Sequence, residues 1–303
     1  MPLSLFVVIK FTPFSYFCAM EEYFPRNTFQ DTVELLNPKL SLQEGQALAY
    51  IVLDKVFGIS KTDIIVNQQF FPDPTQEQYY SHIVSRLLAN EPIQYVFKEA
   101  EFYGFQFYVD KNVLIPRQET ELLIRIIGSF KKWDKPKMAD IGTGSGCIAC
   151  ALALTINDAK LIGYDVSPGA LKIAGDNAEK LGANAAFYLL DILKQDIPHK
   201  ELDLIVSNPP YVMDQEKQRM KENVLDYEPP LALFVPDNDP LIFYNAIAEK
   251  AKKSLKKGGV LFFEINEQFG KETLLLFQHY GYSEAKIYKD LNDKQRFASA
   301  ILE

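Results

Sequence analysis

Cysteine, histidine and tryptophan are scarce in this chain, at three, three and one among 303 residues. Three cysteines cannot build the disulfide framework of a small secreted domain. His82, His199 and His279 are scattered, so no clustered metal site is expected. Basic residues are outnumbered, 32 Lys and Arg against 40 Asp and Glu, for a net charge of -8. That argues against the broad basic face by which proteins grip a nucleic-acid backbone, while leaving room for a local basic groove. Internal repeats and low-complexity tracts are missing as well, which sets aside solenoids and disordered linkers. So are long unbroken apolar runs. The most apolar stretch, Pro2 to Ala19, is interrupted by Lys10 and Pro13. It is too short and broken for a membrane helix, and it lacks the basic start of a signal peptide. Residues 1–19 therefore read as a disordered N-terminal extension ahead of a natural start at Met20.

What is present suits two domains with a sizeable core, since 48% of the residues are hydrophobic and 13% aromatic. Residues 20–92 read as helical. Leu40, Ala47, Ile51, Leu53 and Val56 recur at helical spacing, Ser41 and Glu44 form a capping box, and Gly58 is a stop. Pro74 opens another helix carrying Tyr79, Ile83, Leu87 and Leu88. Residues 93–115 change character. Tyr95-Val96-Phe97, Phe102-Tyr103 and Phe105 to Val109 are aromatic and β-branched, with turn signals at Gly104 and Asp110-Lys111-Asn112. They predict a β-hairpin linking two domains.

In residues 116–303 strands and helices alternate. Strands are expected at Met138 to Ile141, Lys160 to Val166, Ala185 to Leu190, Leu202 to Val206 and Val260 to Ile265, with helices between them. The helix within Asp239 to Leu255 is expected to end at Lys256-Lys257-Gly258-Gly259. Ala285 to Tyr288 and Arg296 to Leu302 can close as a final hairpin. Repeated βα units imply an α/β fold with a parallel, doubly wound sheet. Ligands bind in such a sheet outside the carboxyl ends of the strands, so strand ends carry the chemistry.

The first strand ends in Gly142-Thr143-Gly144-Ser145-Gly146, a loop whose glycines let the backbone turn sharply and approach a ligand. A dinucleotide fingerprint needs its third glycine at position 147, where this chain has Cys147. Asp165 ends the second strand and can accept from ribose hydroxyls. Asp191-Ile192 ends the third, offering a carboxylate to an exocyclic adenine amine and an apolar face to the ring. Each feature alone is an ordinary turn or cap. In succession they read as a site for an adenosine-containing cofactor. Asn208-Pro209-Pro210-Tyr211 ends the fourth strand. Two prolines cannot continue a ladder, so the strand stops with a polar amide and an aromatic ring at its edge. Cys147 and Cys150 share a C-x-x-C spacing but sit on an apolar helix, where they read as small core residues. Trp133 reads as packing and Glu228 as an ion-pair partner near the site. Arg117 and Glu119 either line the pocket or open a helix.

The glycine loop, the two acids and Asn208-Pro209-Pro210-Tyr211, in this order, resemble a class I S-adenosylmethionine-dependent methyltransferase, and the Asn-Pro-Pro-Tyr form is that of enzymes that methylate planar nitrogen. Glu91-Pro92-Ile93-Gln94-Tyr95, Glu101-Phe102-Tyr103-Gly104, Val113 to Glu121, Tyr227 to Leu233 and Phe263-Glu264-Ile265 narrow the resemblance to the HemK/PrmC family of release factor glutamine N5-methyltransferases. It runs from about Met20 to the end. It departs at Val235 to Pro240, where the family usually has a glycine-rich loop, and at Asn266, where it commonly has glycine. The resemblance implies a Rossmann-like sheet with its last strand antiparallel, a small N-terminal helical domain that helps dock the release factor, and a linking hairpin. It implies S-adenosylmethionine as cofactor, held by Gly142 to Gly146, Asp165, Asp191, Ile192 and Asn208. It also implies a cytoplasmic enzyme acting on the glutamine of a Gly-Gly-Gln loop in class 1 peptide chain release factors.

An amide nitrogen is a weak nucleophile because its lone pair is delocalised. The Asn208 side-chain carbonyl can accept one amide N–H and the Pro209 carbonyl the other. Pro210 sets the backbone, and the Tyr211 ring can stack on the planar amide. A base methyltransferase acting on adenine N6 or guanine N2 would want a recognition domain or a basic channel, and the acidic balance counts against it. A dinucleotide oxidoreductase gives Asn208 to Tyr211 no role, and a non-catalytic binding module of the same fold stays open.

Overall fold

The structure, a computed structural model, describes residues 23–37, 40–130 and 132–303. The extension expected over residues 1–19 lies outside the described residues. The chain divides into two compact units, the first ending at Val96 and the second spanning Phe97–Glu303.

The first unit is helical: α1 (Pro25–Leu36), α2 (Leu42–Phe57), α3 (Lys61–Val66), α4 (Pro74–Leu88) and the start of α5 (Ile93–Phe97). Local chemistry fixes the ends. The Ser41 hydroxyl accepts from the Glu44 backbone N–H while the Glu44 carboxylate accepts from that of Ser41, and Gly58 closes α2 in the left-handed region at φ 69°. Ser60 with Asp63, and Asp73 with Gln76, repeat the box. Each such cap contributes about 1 kcal/mol. Val52, Leu53 and Val56 of α2 and Ile83, Val84 and Leu87 of α4 are buried, and the Thr32 and Tyr80 hydroxyls meet at 2.7 Å.

The reading of Tyr95-Val96-Phe97 as strand is corrected: these residues lie in α5. The reason is tertiary. The Arg86 guanidinium donates to the Val96 carbonyl at 2.9 Å and to that of Tyr95 at 3.2 Å, supplying the partners a helix end lacks. Glu91 holds that guanidinium through both carboxylate oxygens, at 2.8 and 2.6 Å. Burial of Tyr95 and Val96, each 3% exposed, then outweighs their strand propensity.

The second unit opens with an antiparallel hairpin, β1 (Glu99–Phe102) and β2 (Phe105–Tyr108). Its two-residue turn has positive φ at Tyr103 and Gly104, the geometry that matches strand twist. Then follow α6 (Gln118–Phe130), β3 (Lys137–Ile141), α7 (Cys147–Thr155), β4 (Lys160–Asp165), α8 (Pro168–Leu181), β5 (Ala185–Leu189) and β6 (Leu202–Ser207). After β6 come β7 (Val212–Met213), α9 (Glu222–Tyr227), β8 (Phe234–Val235), α10 (Ile242–Ala251), β9 (Leu255–Glu264), α11 (Gly270–His279), β10 (Tyr282–Lys289) and β11 (Gln295–Leu302). The seven-stranded sheet has the order β10-β11-β9-β6-β3-β4-β5. Strands β9, β6, β3, β4 and β5 pair in parallel, and β11 runs antiparallel between β9 and β10. This is the doubly wound sheet with an antiparallel last strand. Apolar clusters cover both faces, one around Phe263 and Tyr244, the other around Phe262 and Leu204.

The order puts β4 and β6 on opposite sides of β3. The chain reverses direction across the sheet there, and a crevice opens at the carboxyl ends. The glycine loop leaves β3 and Asn208 leaves β6 at that point. Lys256 to Gly259 do not end a helix, as expected, but belong to β9, while α10 stops at Ala251. Leu255 pairs with Leu202, and a register shift follows before Val260 pairs with Leu204. A Cβ on Gly259 would lie 2.7 Å from the Lys256 carbonyl oxygen and 2.9 Å from that of Leu202. Both obstacles are backbone, so Gly259→Ala is expected to lower the unfolding free energy by about 1–3 kcal/mol, read by denaturant titration.

Candidate active site

The cavity occupies about 250 Å³ at the carboxyl ends of β3 to β6. Gly142 and Gly144 line it, with φ of 73° and 54° and nothing within 4 Å of the place a Cβ would take. The backbone is thus bare toward a ligand. Gly146 serves packing instead, since a Cβ there would meet Ala174 at 3.0 Å. Thr143 turns inward and donates to Asp140 Oδ2 at 2.7 Å. Thr143, Ser145 and Gly146 therefore shape the loop without forming the wall.

Asp165 and Asp191 both line the cavity. Asp165 Oδ2 accepts from the Gly144 N–H and Oδ1 from that of Ser167, each at 2.9 Å, so the carboxylate ties two loops together. Each oxygen keeps a second lone pair for an incoming hydroxyl. Burial pushes this carboxyl up, and the backbone N–H groups pull it back. Asp191 is engaged differently. Its Oδ2 takes the Lys194 ammonium at 2.7 Å and its Oδ1 the Leu193 N–H at 3.0 Å, and the Lys194 hydrogen bond holds it below the usual range. Ile192 joins the wall beside it, 8% exposed. Donors, acceptors and an apolar face thus fit an adenosine with a charged tail.

Asn208, Pro209 and Pro210 also line the cavity, at the end of the strand next to that of the glycine loop. The Ser207 hydroxyl donates to the Ile141 carbonyl at 2.6 Å and pins the end of β6 to the end of β3. Asn208 Nδ2 lies 3.5 Å from Thr120 Oγ1. Tyr211, expected to stack on substrate, is not among the residues lining the cavity; its hydroxyl donates to Glu264 at 3.2 Å. Burial and the neighbouring Glu264 push the Tyr211 phenol well above its ordinary value.

Sequence reasoning missed the residues that hold this turn. Asn266 Nδ2 donates to the Tyr211 carbonyl at 3.2 Å and to Glu216 Oε2 at 3.1 Å. Glu216 in turn accepts from the Met213 N–H at 2.9 Å and from Gln268 at 2.9 Å. The divergent loop at 235–240 starts in β8, which pairs with β7, and Asp237 accepts from the Gln215 N–H at 3.1 Å. Phe243 on α10 and Asn112 also line the cavity; Asn112 was read only as part of a turn, and no local signal marked Phe243. Glu228 is an ion-pair partner: Arg117 meets it at 2.7 Å, and it also accepts from the Ile115 N–H at 3.2 Å. Arg117 is thereby turned to Glu228, and neither it nor Glu119 lines the cavity. Trp133 donates to the Ile127 carbonyl at 2.8 Å, a packing role. Burial pushes the Cys147 and Cys150 thiols up to about 12, which leaves them protonated and unreactive at neutral pH.

This sheet, with a glycine loop and an Asn-Pro-Pro turn lining one cavity at its switch point, defines a class I S-adenosylmethionine-dependent methyltransferase. Residues 118–226 match the methyltransferase small domain family, and residues 35–97 match the PrmC N-terminal domain. A release factor glutamine methyltransferase of Bacteroides thetaiotaomicron is 41% identical over 259 residues, 85% of this chain and 93% of that protein. One of Flavobacterium psychrophilum is 40% identical over 261 residues, 84% of this chain and 90% of its own length. The chain belongs to the release factor glutamine methyltransferase family.

Asp140, under the glycine loop, gives a pH prediction. Burial raises its carboxyl from 3.8 to about 7, against the pull of the Thr143 hydrogen bond. The folded chain then holds a proton that the unfolded chain releases across that window. This group's stability contribution is full below 3.8 and is lost as pH rises through about 7. Asp140→Asn is expected to flatten that part of the stability profile, measured by denaturant unfolding at several pH values.

Proposed function

We propose that this chain transfers a methyl group from S-adenosylmethionine to the side-chain nitrogen of the glutamine in the Gly-Gly-Gln loop of class 1 peptide chain release factors. The observation that carries the reading is Asn208-Pro209-Pro210 lining the same cavity as Gly142 and Gly144, in a chain whose relatives are named release factor glutamine methyltransferase. Asp165 would hold the ribose, Asp191 and Ile192 the adenine, and the bare backbone of Gly142 and Gly144 the rest of the cofactor. Bound there, the cofactor supplies an electrophilic methyl on a sulfonium.

The protein's own task is positioning. The substrate amide is planar, and its nitrogen is dulled by conjugation. Asn208 Oδ1 accepts one of its N–H bonds and the Pro209 carbonyl oxygen the other. Held from both sides, the nitrogen can turn its lone pair out of conjugation as the new C–N bond forms and the methyl–sulfur bond breaks, leaving a neutral thioether. One amide proton leaves to water. Fixing the geometry supplies several kcal/mol, given effective molarities of ~10⁵–10⁸ M for well-oriented groups. A dry site does not oppose this transfer, since the sulfonium loses its charge as the methyl leaves.

The helical unit ending at Val96 fits a docking role for the release factor, as its match to the PrmC N-terminal domain implies. Among the described residues no helix is long and apolar enough to cross a membrane, and an enzyme acting on a translation factor belongs in the cytoplasm. Methylation of adenine or guanine is not favoured, since the chain carries a net charge of -8 and its relatives are named for glutamine. Incubation of a class 1 release factor with the chain and S-adenosylmethionine should add one methyl to that glutamine, seen by mass spectrometry of the peptide. Asn208→Ala should cut the rate by about 100-fold or more. An unmodified glutamine with the native chain would refute the reading.

A further inference from the structure

Behind Asn208 lies a buried chain of hydrogen bonds that the methyl-transfer reading leaves without a role. Asn208 Nδ2 lies 3.5 Å from Thr120 Oγ1. Thr120 Oγ1 lies 2.7 Å from Glu264 Oε2, and the Tyr211 hydroxyl 3.2 Å from Glu264 Oε1. Thr120 is 2% exposed and Glu264 1%. Three distant segments thus meet at one carboxylate: the first turn of α6, the end of β9 and the turn after β6.

A carboxamide has two ends of nearly equal size and opposite chemistry. Packing alone does not distinguish them. For Asn208 the distinction decides the reaction, because only the carbonyl oxygen can accept a substrate N–H. The inverted amide would set N–H against N–H. Hydrogen-bond inventory settles which way it points. A threonine hydroxyl has one proton, and that of Thr120 is donated to Glu264 Oε2 at 2.7 Å. Toward Asn208, Thr120 then offers lone pairs alone. The Asn208 atom facing it must be the NH2 group, and Oδ1 is turned away.

We infer that Thr120 and Glu264 are positioning residues that fix the amide orientation of Asn208, with Tyr211 holding the second oxygen of the carboxylate. This rests on the reading of Asn208 as acceptor for the substrate amide. Tyr211 acts in it through its hydroxyl, which secures Glu264 from the far side. Asn266 secures the Tyr211 carbonyl at 3.2 Å, so the turn bearing Asn208 is fixed at both ends.

Thr120→Val keeps the shape and removes the hydroxyl, and Thr120→Ser restores the hydroxyl. Thr120→Val should lower kcat for release factor methylation about tenfold, the weight of one hydrogen bond. KM for S-adenosylmethionine should stay within about twofold, because the bond lost is not a cofactor contact. Thr120→Ser should return most of the lost kcat. A wild-type kcat in Thr120→Val, or a Thr120→Ser variant as impaired as Thr120→Val, would overturn the inference. The side-chain amide resonance of Asn208, assigned by its absence in Asn208→Asp, reads the same bond without substrate. It should shift on Thr120→Val, and an unmoved resonance would overturn the inference even if the native chain modified no release factor. That last outcome would instead overturn the proposed substrate.

Discussion

The site depends first on two strand ends being held level. Strands β3 and β6 are neighbours in the sheet, and Ser207 at the end of β6 donates to the Ile141 carbonyl at the end of β3. Both partners are buried, so the bond forms away from competing water. One residue further on, each chain leaves the sheet, Gly142 on one side and Asn208 on the other. The donor loop and the acceptor turn are therefore set against each other by backbone pairing. Glycine makes the first exit by taking positive φ, and proline makes the second by withholding N–H donors. Opposite devices at adjacent strand ends open one crevice.

Around that crevice the anchors are mostly polar and come from far away in sequence. Asp165 joins its own strand end to Gly144 of the preceding loop. Glu228 joins the segment before α6 to the loop after α9, through Arg117 and the Ile115 N–H. Glu264 joins α6 to the Asn208 turn. Carboxylates recur in these joints because each offers two oxygens and several lone pairs to donors from separate segments. The chain's acidic excess is in this sense partly internal. Some of its charge is spent on holding loops rather than on facing solvent.

Features written in local sequence were legible. The glycine loop, the acids at the strand ends and the double proline announce themselves by spacing, and the sheet follows from alternating periodicity. Ser41 with Glu44 and Gly58 act as helix start and stop as their types predict. The misread places are those where a distant partner decides. Tyr95-Val96-Phe97 is helical because Arg86 caps its carbonyls. Lys256 to Gly259 lie in a strand because a distant segment pairs on either side of them, Leu202 with Leu255 and Leu204 with Val260. The short pairing of β7 with β8 joins segments of only two residues, too short for any periodicity. At the site, Thr120 and Glu264 stood inside recognised motifs, yet nothing local showed that they meet. Asn266 was marked as a departure from glycine, and its bonds to Tyr211 and Glu216 exist only in three dimensions.

Glu264 raises the question of why a buried carboxylate should stand where an apolar residue would cost less to bury. Burial does push its carboxyl up, against the pull of Thr120, Arg296 and Tyr211. Stability is a poor reason, since buried charges are often matched or bettered by apolar replacements. Specificity is a sufficient one. A glutamine in its place could present either end of its own amide to Thr120, and the ambiguity would pass on to Asn208. A water molecule could likewise donate or accept. Glu264 takes the Thr120 proton on one oxygen and the Tyr211 proton on the other. It forces the Thr120 proton toward itself and thereby forces the Asn208 oxygen outward. The substrate is itself a carboxamide with the same symmetry of shape, and a site that must read one amide with another needs a fixed acceptor behind its wall.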